Sequence, residues 1–432
     1  MQHFYIIADD LTGASDAGVQ LSKKGISSTV YLDFKEVPVQ HGGDVAIIDT
    51  DSRAVSGQEA YDRVSEASAV FLRQGYEQVY KKIDSTLRGN VAAELAAVVS
   101  VHQPELVVVA PAYPKMNRET LDGYQYVYGQ RVSDTEFGRD PKTPVKDSFI
   151  PHLFQPFVDI ERICLIGREL VNAPGNHFVE EIRTKMSQGK SWFICDAKTD
   201  EDLQVIAKAF ADIGKRTVWA GSAGLIEYLP EALRLERSGG HGREQLKSGR
   251  TLTVSASLSQ VTKRQLEQVR TMPDTYFVEI DPVELVRGTY VVRDVIDALA
   301  GAKDKKHFVL FVDASDQNRE ATRKLGTELS LGKTEISEAI SQELGAIARE
   351  ITDGFSDVQG LVLTGGDTAK AVCSRLGMNR MQLCAEVEAG LPLGKLKNAA
   401  DTRSYWAVTK AGGFGDERSL INVLNYMSGE DE

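Results

Sequence analysis

An apolar, strand-sized run that stops at small or acidic residues and passes straight into a helical pattern recurs along this chain. That junction restricts the fold more than any other feature. Phe4-Tyr5-Ile6-Ile7-Ala8 runs into Asp9-Asp10-Leu11-Thr12-Gly13, and Leu361-Val362-Leu363 runs into Thr364-Gly365-Gly366-Asp367-Thr368. Further strand-like runs lie at 45–49, 78–83, 105–110, 162–166, 192–195 and 217–220, with amphipathic segments such as 57–74 and 91–101 between them. Strand then helix, repeated, predicts an α/β fold of largely parallel sheets flanked by helices. In such sheets small charged ligands bind at the carboxyl ends of the strands.

At 432 residues the chain exceeds the usual size of one core, so two domains are expected. The rhythm lapses in the polar, Gly-rich stretch around Glu236–Arg243 and restarts at Thr251-Leu252-Thr253-Val254. This predicts an N-terminal domain over 1–230, a linker over 231–250 and a C-terminal domain over 251–432, with the active site in the cleft between the domains. A second irregular stretch, 116–151, reads as a functional lid or an excursion.

A net charge of −12 argues against a nucleic-acid surface but not against a local cationic site for an anionic substrate. The longest apolar runs are strand-sized, which excludes a helical membrane span, and the first strand begins within four residues, leaving no room for a signal peptide. Cys164, Cys195, Cys373 and Cys384 are scattered, and the seven histidines form no HxxxH or HExxH, so buried thiols and no zinc site are expected. Together these features favour a reducing cytoplasm. An exposed apolar helix face would support a homodimer.

The chemistry concentrates in two groups of junctions. In the first, adjacent Asp9 and Asp10 repel each other and require a cation, a metal or a hydroxyl-bearing ligand, unless one of them caps the helix. Lys81-Lys82-Ile83-Asp84-Ser85-Thr86-Leu87-Arg88-Gly89-Asn90 combines cations, a carboxylate and hydroxyls, the composition that holds a polyhydroxy carboxylate. Strand alternation would turn one of the two lysines inward. Arg53 adds either a fork for a carboxylate or a surface salt bridge. In the second group, Gly365-Gly366 opens a helix after a buried-type strand, as a phosphate cradle does. Ser255–Ser259, Lys410–Gly415 and Glu388–Gly394 supply further flexible turns that would help enclose a nucleotide. There is no GxxxxGK[ST] and no GxGxxG at the first strand, which disfavours a P-loop NTPase and a dehydrogenase. A non-catalytic sugar-acid sensor would share the first group but has no need of the second.

These motifs together resemble the four-carbon acid sugar kinases over nearly the whole chain. The resemblance rests on Ile7–Ala14, Lys82–Gly89, Ala110–Pro114, Gly221–Leu225, Thr364–Thr368 and Ala411–Gly415. It implies ATP-dependent phosphorylation of the C4 hydroxyl of a four-carbon acid, with Mg2+, by an N-terminal sugar-acid domain and a C-terminal nucleotide domain. It further implies Asp9, Asp10, Arg53, Lys82, Ile83, Asp84 and Ser85 as substrate residues, and Ser257, Gly365, Gly366, Asp367, Thr368 and Gly412 as nucleotide residues. Asp84 or Asp10 is expected to accept the hydroxyl proton, and Arg88 and Lys410 to stabilise transferred charge; the metal would bridge the phosphates to Asp367 or water. Ala256 stands where the resemblance suggests Gly, and Ala411 and Gly413 where it suggests Ser and Asn. The segment Asp16–Leu21 is closer to the D-threonate and D-erythronate kinases than to the 3-oxo-tetronate kinases, which makes D-threonate the expected substrate.

Overall fold

The computed structural model describes residues 4–33, 45–140, 142–236, 249–313 and 315–429. The chain divides into two units, Met1–Gly240 and His241–Glu432. Most of the expected linker, 237–248, lies outside the described residues. No helix among the described residues is long and apolar enough to cross a membrane.

The N-terminal unit carries β1 (Phe4–Ala8), β2 (Ser28–Tyr31), β3 (Val45–Asp49), β4 (Gln78–Lys82), β5 (Leu106–Ala110), β6 (Arg118–Leu121), β7 (Tyr124–Val127), β8 (Gln130–Arg131), β9 (Ile163–Ile166), β10 (Trp192–Cys195) and β11 (Thr217–Gly221). Its main sheet has the order β2-β3-β1-β4-β11-β5-β10-β9, and every pairing in it is parallel. Helices cover both faces, so β1, β3 and β5 are buried throughout, which is why they read as unbroken apolar runs and not as alternation. On one side of the sheet Tyr5 stacks on Phe71 with ring centroids 4.5 Å apart, amid Val64, Val79 and Val98.

The topology marks a candidate site. From β1 the chain crosses one way, past β3 to β2, and from β4 it crosses the other way, past β11 to β5. Right-handed crossovers in opposite directions put their helices on opposite faces and open a crevice at the carboxyl ends of β1 and β4.

The irregular stretch expected over 116–151 is instead partly ordered as a small antiparallel sheet, β6-β7-β8, followed by 3-10 turns. Asp122 and Gly123 both have positive φ (51° and 73°), as do Tyr128 and Gly129 (49° and 75°). Each pair forms a two-residue hairpin loop whose backbone matches strand twist.

In the C-terminal unit, β12 (Arg250–Ser255), β13 (Thr275–Glu279), β14 (His307–Phe311), β15 (Val358–Thr364), β16 (Arg380–Glu388), β17 (Leu391–Lys397) and β18 (Ser404–Lys410) form the order β13-β14-β12-β15-β18-β17-β16. The first five in that order are parallel, whereas β18-β17-β16 are antiparallel. The same logic puts a crevice at the carboxyl ends of β12 and β15, since their onward connections diverge. The strand-to-helix rhythm breaks here because β16 and β17 form a hairpin. Its Gly390 has φ 77° and lies where a Cβ would come 2.4 Å from the Phe414 ring. The Glu388–Gly394 stretch, expected as a flexible turn helping to enclose a nucleotide, is instead the tip of a hairpin packed on Phe414.

Candidate active site

Asp9 and Asp10 leave the end of β1, and the helix Leu11–Lys23 starts immediately. Asp10 is its N-cap, accepting the Gly13 N–H at 2.8 Å. The neighbouring β3 delivers Arg53, whose guanidinium serves both carboxylates: Nε to Asp9 Oδ2 at 2.7 Å, Nη2 to Asp9 Oδ1 at 2.9 Å, Nη1 to Asp10 Oδ2 at 2.6 Å and Nη2 to Asp10 Oδ1 at 2.8 Å. The required cation is thus an arginine of the same fold, and its fork is consumed by two carboxylates.

The two acids nevertheless differ. Burial pushes both carboxyls up, but at Asp9 the Arg53 guanidinium and then Lys81 and Lys82 outweigh it and hold the group low. At Asp10 burial, reinforced by the Asp9 charge, wins over Arg53 and the carboxyl titrates high. Asp9 is 1% exposed, while the Asp10 side chain retains 22% exposure. Environments that split a carboxylate pair in this way assign different roles to its members.

β4 ends in the two lysines, and both are buried. Lys81 reaches Glu94 of the helix Val91–His102 at 2.9 Å and donates to the Lys82 carbonyl at 2.8 Å. Lys82 points to the other face, where its Nζ donates to the Ile83 carbonyl at 3.1 Å and lies 3.2 Å from where a Gly13 Cβ would sit. A side chain at position 13 would crowd the ammonium and Asp10 alike. Lys82 stands within salt-bridge distance of no carboxylate among the described residues, although its charge acts on Asp9 and Asp10. Ile83 is buried, and its N–H bonds the Gly221 carbonyl, so its contribution is backbone position.

Asp84 pairs with Arg88, Nε to Oδ2 at 2.7 Å, and accepts the Thr86 hydroxyl. Burial raises its carboxyl, but Arg88 and Arg53 overcome this and drive it far below the ordinary range. Arg88 also meets Asp140 at 3.5 Å and lies over the Phe137 ring. The Ser85 carbonyl accepts from Gln125 Nε2 at 2.6 Å, while its partly exposed hydroxyl has no partner among the described residues. Sequence reasoning missed Glu94, Gln125 and Asp140, which brace this loop. Only the Asp122-Gly123 hairpin signal would have exposed Gln125.

In the C-terminal unit, Gly365 (φ 93°) turns the chain from β15 into the helix Gly366–Leu376. That N-terminus, with Gly365 at the N-cap, has no side-chain cap. Beyond a Cβ at Gly366 the space is open to 4 Å, and at Gly365 only Thr368 Oγ1 comes within it, at 3.8 Å. Asp367 is exposed and Thr368 buried in the first turn. At β12 and β18, Ser257 and Gly412 abut so closely that a Cβ on Gly412 would fall 2.5 Å from Ser257 Oγ. The Gly365 N–H bonds the Lys410 carbonyl at 2.8 Å, joining the two turns. Lys410, expected to meet transferred charge, instead points inward and is 1% exposed. The structure thus brings Ser257, Gly365 to Thr368 and Gly412 to the ends of neighbouring strands.

A sugar-binding N-terminal domain family matches residues 4–229, and a nucleotide-binding C-terminal domain family matches residues 252–420. D-threonate kinase of Salmonella typhimurium is 32% identical over 98% of this chain and 97% of its own. D-erythronate kinase of Heliobacterium modesticaldum is 30% identical over 99% and 97%, and 3-oxo-tetronate kinase of Pseudomonas fluorescens is 27% identical over 98% and 96%. In fold, the chain matches a solved Salmonella typhimurium protein at a TM-score of 0.81 with 23% identity, covering 98% of this chain and 99% of the other. With both halves matched and full-length relatives above the 30% level, the chain belongs to the four-carbon acid sugar kinases and is an ATP-dependent sugar-acid kinase.

Proposed function

We propose that the chain phosphorylates the C4 hydroxyl of D-threonate, giving 4-phospho-D-threonate, with the acid held by the N-terminal unit and the nucleotide by the C-terminal unit. The observation that carries the N-terminal reading is the distribution of charge at the β1–β4 crevice. Both guanidinia are committed to carboxylates, whereas the Lys82 ammonium and the Ser85 hydroxyl are not. Lys82 then receives the substrate carboxylate or a hydroxyl beside it, and Ser85 orients the polyol. Two D-threonate kinases, of Salmonella typhimurium and Cupriavidus necator, are 32% and 31% identical to the chain and support D-threonate as the first acid to assay.

Asp10, not Asp84, is the proton acceptor. Asp84 is paired with Arg88 and held far below the ordinary carboxylate range, while burial and the Asp9 charge raise the Asp10 carboxyl even though Arg53 and the Gly13 N–H bind it. As the bond from O4 to the γ-phosphorus forms and the bond to the β-phosphate oxygen breaks, the O4 hydroxyl proton passes to Asp10 Oδ and ADP departs. Arg53 restrains the carboxylate during this step. Ser257, the N–H groups opening the helix Gly366–Leu376 and the Gly412 turn hold the phosphates. Asp367, exposed in the first turn, suits Mg2+, which binds through one or two carboxylates plus phosphates and would neutralise developing charge.

A coupled assay of ADP release over D-threonate, D-erythronate, their L-forms and 3-oxo-tetronates tests the reading. The highest kcat/KM is expected with D-threonate. A higher value with another four-carbon acid reassigns the substrate, and no acid-dependent ADP release from any of them overturns the proposal.

A further inference from the structure

Lys410 ends β18 inside the C-terminal unit, and its ammonium has no carboxylate partner among the described residues. Its three donors go to neutral oxygens: Thr262 Oγ1 at 3.1 Å, the Ala411 carbonyl at 3.0 Å and the Gly412 carbonyl at 3.1 Å. Thr262, in the helix Gln260–Val269, donates in turn to the Gly412 carbonyl at 2.7 Å. Burial of an unpaired charge is costly, and folds retain one where something compensates it. Burial lowers the ammonium to about 8, so at neutral pH it remains charged. The same residue's carbonyl accepts the Gly365 N–H, so the ammonium sits beneath the junction of both glycine turns.

We infer that Lys410 is a positioning residue for the nucleotide: its ammonium clamps the Ala411-Gly412 carbonyls beneath the turn, fixing the turn and giving it a positive charge whose counter-ion is the phosphate chain. Each donor of the ammonium is already used, so it acts through the turn and its field and not by touching the phosphates. Pulling those two carbonyls inward leaves the opposite side of the turn to present N–H groups. The inference rests on the reading that the nucleotide lies at the Gly365 and Gly412 turns.

The test is isothermal titration of ADP and adenosine into full-length wild type, Lys410→Met and Gly412→Ala. Methionine keeps the unbranched stem, one atom shorter, and removes the charge. In Lys410→Met, ADP binding should weaken by on the order of tenfold or more while adenosine changes less than about twofold, because only phosphates feel the lost charge. The KM for ATP should rise with the KM for the acid unchanged. Equal weakening of ADP and adenosine, or no weakening of either, overturns the inference. Gly412→Ala separates the two levels of the argument. If it leaves ADP binding intact, the nucleotide does not lie at these turns and the underlying reading fails. If it weakens ADP binding but Lys410→Met shows no phosphate-dependent loss, only the role of Lys410 fails. Should Lys410→Met not fold, Thr262→Val removes one ligand of the ammonium and one clamp on Gly412. It should weaken ADP by roughly threefold to tenfold and spare adenosine; unchanged ADP affinity refutes the inference.

Discussion

Replacing Arg53 with methionine should destabilise the N-terminal unit in a way that depends on pH. The side chain makes four contacts of 2.6–2.9 Å to Asp9 and Asp10, and it is itself only 18% exposed. Each close pair is worth about 4 kcal/mol of attraction at an effective dielectric near 20, largely offset by desolvation. Removing one partner of such a buried pair typically costs about 3–5 kcal/mol, because charges remain without compensation. In wild type, Asp9 is held low, so its contribution is present above the unfolded carboxyl pKa and is lost as pH falls through the folded one. In Arg53→Met the Asp9 carboxyl should also rise above its unfolded value, and that of Asp10, already raised, should rise further. Their penalty is then full above the folded pKa and shrinks as pH falls. The two stability curves should converge toward acid: a gap of about 3–5 kcal/mol at pH 7.5 should narrow by at least about 1.4 kcal/mol at pH 5, the equivalent of one pKa unit. Urea unfolding followed by tryptophan fluorescence in a Trp406→Phe background isolates Trp192 and Trp219, both in the N-terminal unit. A gap below about 1 kcal/mol, or one of equal size at the two pH values, would show that the cluster behaves as an ordinary surface pair and refute the argument.

Asp10→Asn, which preserves an acceptor for Gly13 and Arg53, should lower kcat by roughly 10²–10⁴ with little change in acid affinity. Asp84→Asn should retain more than a tenth of the turnover; the reverse ranking in steady-state kinetics would move the base to Asp84. The rise of wild-type kcat/KM with pH should report the raised Asp10 carboxyl and vanish in Asp10→Asn. Gly365→Ala forces φ 93° on a residue with a Cβ, which costs about 1–3 kcal/mol. Calorimetric affinity for ADP should fall while that for the acid stays. Glu94→Leu leaves the fully buried Lys81 ammonium alone and should cost about 3–5 kcal/mol in urea unfolding, against less than about 1 kcal/mol if the pair were solvated.

The alternation of strands and helices was legible because both faces of the main N-terminal sheet are covered, so β1, β3 and β5 had to be buried, apolar runs. The Asp122-Gly123 hairpin was legible too, as a dipeptide between alternating residues, but a long polar context concealed it. Antiparallel β16 and β17 escaped for a related reason. Met381, Leu383 and Ala385 alternate as a half-covered strand does, yet the glycines beyond them read equally as a ligand turn. At the site, chemical types could be read locally but their partners could not. Arg53 follows Asp9 by 44 positions, and nothing in the spacing says that β3 lies beside β1. By sequence alone Asp10 is either a cap or a ligand; in the structure it is a cap that Arg53 also grips. Whether Lys81 or Lys82 lies on the Asp9–Asp10 side depends on which face of β4 meets Glu94, a long-range fact.

The small β6-β7-β8 sheet has a consequence for engineering. It holds the Asp84–Arg88 loop through Gln125 on the Ser85 carbonyl, and the turns after it do so through Asp140 and Phe137 on Arg88. The loop is therefore not a transplantable module. Exchanging residues 84–88 alone with those of a relative that prefers another acid should yield a misfitted hybrid. A graft that carries 118–140 along with the loop moves the brace and its cargo together.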